Sequence, residues 1–206
     1  MAYSRDEALN IHKDYKENVN LWEYYIRSFN GGYDYIVGQY LNRYNLELDN
    51  EFNQRLANTP CDNHCKNIIQ IYSSFLFRVK ASRNFGSMAD EPTLDSFLKD
   101  SDLEGNSFTA VMRQAQIYSS IYGHCFLILD KPKVQTNTRA EELEQDIRPY
   151  ISIVTPENVL DWNFKRGING KYYLDYLKVR EEVDKNGGTY MRMWYPDKIE
   201  TVYVPN

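Results

Sequence analysis

Cysteine and histidine are both scarce, with three of each among 206 residues. An odd, low cysteine count gives no disulfide framework and fits free thiols in a reducing compartment. Few histidines leave little material for metal binding or proton transfer near neutral pH. Glycine is thin at 10 residues, and no glycine-rich phosphate loop is present. Gly31-Gly32 and Gly187-Gly188 lack the strand-then-helix setting that such a loop needs. Basic charge is not in excess: the net charge is −5, whereas a dedicated nucleic-acid binder carries a basic stripe. Long apolar runs are missing too. The longest apolar stretch, Ile68 to Phe77, is broken by Gln70, Ser73 and Ser74, and a membrane span needs about 20 apolar residues. The first residues, Met-Ala-Tyr-Ser-Arg-Asp-Glu, are polar with no apolar core behind them, so no secretory signal is expected.

What the chain does have is tyrosine, 18 residues in all. Tyrosine joins a large apolar body to a polar tip, which suits half-buried sheets and protein interfaces. Hydrophobic residues at 42% and charged residues at 26% are ordinary for a folded protein.

The first half of the chain reads as helices. Ser4 with Glu7 forms a capping box. Ile11, Tyr15, Val19, Trp22, Ile26 and Phe29 then step at helical spacing until Asn30-Gly31-Gly32 stops them. Further helices are expected over Tyr33–Arg43 and Asn50–Ala57. Thr59-Pro60-Cys61-Asp62 resembles a helix start, with cap, proline and acid in order. Cys65, Ile68, Ile69, Tyr72, Phe75, Leu76 and Val79 hold one face of that helix, read here as a core face. Thr93 caps a short helix through Leu98, and Asp100 to Gly105 is a turn.

From Asn106 to Phe164 the chain reads helix, glycine, strand, polar insertion, strand, then a Thr155-Pro156-Glu157-Asn158 turn. Phe108, Val111, Met112, Ala115, Ser119 and Tyr122 share a helical face. Gly123 stands where a left-handed residue ends a helix. Cys125 to Leu129 is expected to be a strand buried on both faces. Lys131–Arg148 is a surface insertion with a short helix capped by Thr138 and Glu141. Beyond Pro149 the pattern turns to strand: Lys171–Val183, Thr189–Tyr195 and Ile199–Val204, joined by short turns, form an antiparallel meander. The fold class is α+β: a helical part over residues 1–100, then over 101–206 a long helix feeding a mostly antiparallel sheet.

Candidate chemistry is sparse. Cys61, His64 and Cys65, with His124 and Cys125, are the right residue types for zinc. Their spacing fits no standard finger, and Cys65 reads better as a small core residue. Asp130 and Asp161 end or follow strands and could hold Mg²⁺ for a metal-dependent nuclease or hydrolase. Strand-end aspartates are more often turn and capping residues. No catalytic, cofactor-binding or metal-binding residue is assigned, and no cofactor is expected.

The order of elements is more telling than any of these. The helix from Asn63 to Val79, the unit Gln116–Leu129 with Gly123 between helix and aliphatic strand, and Ile151–Trp162 with its Pro156-Glu157-Asn158-Val159 turn resemble the N-terminal, wing region of the portal (head-to-tail connector) proteins of tailed bacteriophages. The resemblance covers about residues 40 to 204. It implies a non-enzymatic structural protein, a homo-oligomeric ring of about twelve copies at one vertex of the virion capsid, assembled in the host cytoplasm. Its implied partners are the major capsid protein, the terminase that drives double-stranded DNA through the ring, and head-tail adaptor proteins. No membrane is implied. Twelve copies at −5 each would carry about −60, and like charge around a channel disfavours sticky DNA contacts. Stem and clip segments of the family lie outside the matched stretch, so no channel-lining or terminase-contacting residue is assigned. Another oligomeric head-tail protein is the nearest alternative.

Overall fold

A computed structural model describes residues 10–205 except 39, 61, 133, 135–137, 184 and 186. Its contacts gather into two compact units, Tyr24–Val154 and Met1–Glu23 with Thr155–Asn206. The fold is α+β, with antiparallel sheets of two and four strands. The helices are α1 (Lys13–Asn30), α2 (Gly32–Val37), α3 (Asp49–Asn58), α4 (His64–Leu76), α5 (Pro92–Lys99), α6 (Phe108–Tyr122) and α7 (Arg139–Glu144). The strands are β1 (Phe126–Asp130), β2 (Tyr150–Val154), β3 (Val159–Arg166), β4 (Tyr172–Val183), β5 (Thr189–Trp194) and β6 (Ile199–Val204). The capping box at Ser4 and Glu7 lies outside the described residues. The helix expected over Tyr33–Arg43 is shorter, ending at Val37 with Gly38 as its cap.

The unit that gathers Thr155–Asn206 is built on β3 to β6, a meander in sequence order. Trp162, Leu177, Trp194 and Ile199 lie in register across all four strands, as do Asp161, Lys178, Met193 and Glu200. Val159, Leu177, Val179, Met191 and Met193 form its buried centre. The start of α1 packs here through Tyr15 and Trp22, both buried and meeting edge to face at 5.8 Å. The Thr155–Asn158 turn is a single 3-10 turn closed by the Asn158 amide on the Thr155 carbonyl. Asn158 Nδ2 donates to Thr155 Oγ1 at 3.0 Å. The Glu157 carbonyl then accepts from Tyr15 Oη at 2.9 Å and from Arg180 Nη2 at 2.7 Å. One carbonyl thereby fixes helix, turn and sheet together, and Pro156 is fully buried at the same place.

The unit spanning Tyr24–Val154 is centred on α6. Val111, Ala115, Ile121 and Tyr122 are buried. Ser107 caps the helix by accepting the Ala110 amide. Gly123 ends it at φ 86°, and its amide donates to Ser119. β1 pairs with β2 from Phe126↔Val154 to Asp130↔Tyr150. Below β2 the chain is tied by main-chain bonds: Ser101 N–H to Asn106 O and Ile151 N–H to Ser101 O, each 2.7 Å. Ser101 is fully buried. The buried Arg148 donates to the Asp100 carboxylate at 2.7 Å and pairs with Asp146.

Four expectations are corrected. Thr93 does not cap the short helix, because α5 already begins at Pro92, with Glu91 at the cap position and Thr93 in the first turn. The helix after Pro60 starts at His64, because Thr59 is used to end α3, its hydroxyl donating to the Arg55 carbonyl. Asn63 caps α4 instead, accepting from Lys66 N–H while its amide donates to the Phe29 carbonyl. β1 is not buried on both faces: Leu127 and Leu129 are exposed, because the face of the two-stranded sheet that they share is left open within the unit. The strands also divide between two sheets, because the Thr155–Asn158 turn separates β2 from β3.

A Cβ added at Gly123 would meet nothing within 4 Å, so substitution there costs only the left-handed backbone. Gly123→Ala is expected to lower stability by about 1 kcal/mol, and Gly123→Asn by less. Urea midpoints measure it, and an unchanged midpoint for alanine would contradict the cap.

Candidate functional site

The feature that stands out chemically is the outer face of α4. Ile68, Ile71, Tyr72, Phe75, Leu76 and Val79 are all between 54% and 79% exposed. Cys65 is exposed on the same face, so it is not the small core residue expected. The inward side of the helix carries Ser73, which is fully buried, and Ile69, which is half-buried, with Phe77 half-buried just past its end. Arg113 on α6 donates to Ser73 Oγ and Ser74 Oγ, both at 3.3 Å. The apolar periodicity was therefore real, but it faces solvent rather than the core.

Charge sharpens the picture. From Asn63 to Lys80 there is no acidic residue, while Lys66, Arg78 and Lys80 are all exposed. A shallow depression of about 670 Å³ runs along the helix between Asn67, Ile71, Ser74, Phe75 and Arg78. A typical monomer's largest apolar patch is about 300–600 Å², and larger patches mark contact sites. Six large side chains this exposed amount to several hundred Å², of the order of the roughly 800 Å² that each partner contributes to a standard interface. At about 25 cal/mol per Å² that is on the order of 10 kcal/mol of burial not realised within the unit. Association costs about 4–15 kcal/mol, which is of the same order, so the area marks a contact surface without fixing an affinity.

Asp130 lies in the Tyr24–Val154 unit and Asp161 in the other. Asp130 Oδ1 accepts from the Lys131 amide and Asp161 Oδ1 from the Trp162 amide, the role of strand-end and turn aspartates. Cys61 lies outside the described residues. His64 opens α4 and is exposed, while Cys125 Sγ lies 3.3 Å from Ser119 Oγ. Burial lowers the His124 pKa, and its ring meets Phe126 edge-on. His12 stacks on Trp162 at 4.1 Å. Among the described residues no three His, Cys, Asp or Glu side chains are grouped so as to hold a metal ion. No helix among them is long and apolar enough to cross a membrane.

One buried cation was not legible in the sequence. Lys178 is fully buried in the four-stranded sheet, with Nζ donating to the Asn10 carbonyl at 2.7 Å and Asp161 opposite in register. Its alternation in the strand gave no hint, because the acceptor comes from a segment 168 residues away.

No protein-family profile matches the chain, and no curated protein matches it.

Burial holds the Lys178 ammonium below its ordinary 10.5, and the charge of Asp161 works against that shift. The unfolded chain therefore binds the proton more tightly than the folded one, and between the two pKa values stability rises with pH. Relative to Lys178→Met, the wild type is expected to gain stability as pH climbs from neutral toward 10.5. Urea midpoints of both proteins across that range measure it, and a constant difference would contradict a desolvated ammonium.

Proposed function

We propose that this chain is a structural subunit that assembles side by side with copies of itself, as the wing region of a tailed-phage portal ring does. In that role it contributes no chemistry. It forms part of a ring at the capsid vertex, with capsid protein, terminase and head-tail adaptors as neighbours and DNA passing through without tight binding. The observation that carries the reading is the unpartnered apolar face of α4, which gives a folded chain a large area to bury against another molecule. Two of the segments behind the family resemblance support it as architecture. Gly123 ends α6 in a left-handed cap before β1, and Thr155–Asn158 forms an anchored turn before β3. Side chains in both places serve packing and hydrogen bonding within the fold. The net charge of −5 per copy is compatible with a channel that DNA slides through.

Native mass spectrometry and negative-stain images are expected to give closed rings of about a dozen copies. A protein that stays monomeric and binds Mg²⁺ or Zn²⁺ stoichiometrically would contradict the reading and favour a metal-dependent hydrolase. Phe75→Asp removes a central aromatic from the face, and such positions cost about 2 kcal/mol or more, some thirtyfold in Kd. Sedimentation velocity is expected to show that loss, with a melting temperature like the wild type because Phe75 is 67% exposed.

A further inference from the structure

A second surface of the Tyr24–Val154 unit is the counterpart of the α4 face in both shape and charge. A groove of about 590 Å³ opens between α5, the end of β1 and α7. Leu94, Phe97, Leu129, Leu143 and Ile147 line it. Its rim carries two ion pairs, Lys131 with Glu142 and Arg139 with Glu91, both at 2.6 Å. Within the lining these pairs balance two acids against two bases, and α7 adds Glu141 and Glu144 beside the groove, so the helix itself carries an excess of acid. Leu129 and Leu143 are 63% and 48% exposed, so the floor is open to an incoming side chain.

We infer that this groove receives α4 of the next copy. The helix is convex, apolar and free of acids, with Lys66, Arg78 and Lys80 around its stripe. The groove is concave and apolar beside the acid-rich α7. The two surfaces use separate residues, 63–80 and 86–149, so one copy can give its helix to one neighbour while its groove takes the helix of another. Such a contact is heterologous and repeats until rotation closes a ring. A symmetric pairing of α4 with α4 would set these basic side chains against their own kind and leave the groove empty. Like charges across an interface are unfavourable, and opposite potentials set the register. The inference rests on the self-assembly reading and specifies where that assembly is made.

Two variants separate the halves of the contact. Phe75→Asp spoils the helix and keeps the groove, while Leu129→Lys spoils the groove and keeps the helix. Each alone is expected to sediment as a monomer, with circular dichroism and melting like the wild type. Mixed in equal amounts, they are expected to form a species of twice the 24.4 kDa subunit mass and nothing larger, since only one good helix and one good groove remain. Leu143→Arg, on α7, replaces Leu129→Lys if the latter does not fold. A groove variant that assembles like wild type overturns the inference and leaves self-assembly standing. So does a mixture of two folded variants that stays monomeric while the wild type assembles. A wild type that is monomeric at every concentration overturns both.

Discussion

Arg113 reaching from α6 to Ser73 and Ser74 sets the orientation of α4, and the character of this protein's surface follows from it. Both contacts are long at 3.3 Å and the one to Ser74 is exposed, so the full burial of Ser73 in this seam is what marks how the helix is turned. Ser73 is fully buried, so rotating α4 to bury its apolar stripe would put this hydroxyl out in solvent and break its bond to the guanidinium. The cap reinforces the same rotation. Asn63 holds both the Lys66 amide and the Phe29 carbonyl, which fixes the helix start against the end of α1. With Ser73 turned inward, the helix presents Ile68, Ile71, Tyr72, Phe75 and Leu76 outward, and Val79 is exposed just past its end.

Each unit is otherwise organised by a small number of main-chain anchors. In one, the Glu157 carbonyl gathers Tyr15 and Arg180, so that turn, helix and sheet share a single acceptor. In the other, Ser101 links Asn106 to Ile151, and Arg148 ties Asp100 to Asp146. These anchors are structural, and the two strand-end aspartates make local contacts of their own. Asp130 and Asp161 each cap the amide that follows them.

Much of the fold was legible because local signals decide it. Gly123, Thr138 and the Thr155–Asn158 turn act where their residue types predict, since capping and turn formation involve neighbours a few residues apart. The meander from β3 to β6 was legible for the same reason, its short turns setting its order. What was not legible depends on distant segments. Periodicity finds an apolar stripe on α4 and does not say whether another element covers it. Cys65 read as core for that reason. Leu127 and Leu129 read as buried because a short apolar run does not reveal that one face of its sheet is left open. Lys178 finds its hydrogen-bond acceptor at the Asn10 carbonyl, far away in the chain. The candidate surface was therefore present in the sequence as a pattern, but with its direction reversed.

The central claim is that the outer face of α4 is covered by another copy in the assembled protein. Hydroxyl-radical footprinting measures this directly, because it reports side-chain access at Tyr72 and Phe75 in solution. As the protein concentration is raised through the assembly range, labelling of both residues is expected to fall severalfold while the total radical dose is held constant. Equal labelling of Tyr72 and Phe75 in the monomeric and assembled protein would contradict the account.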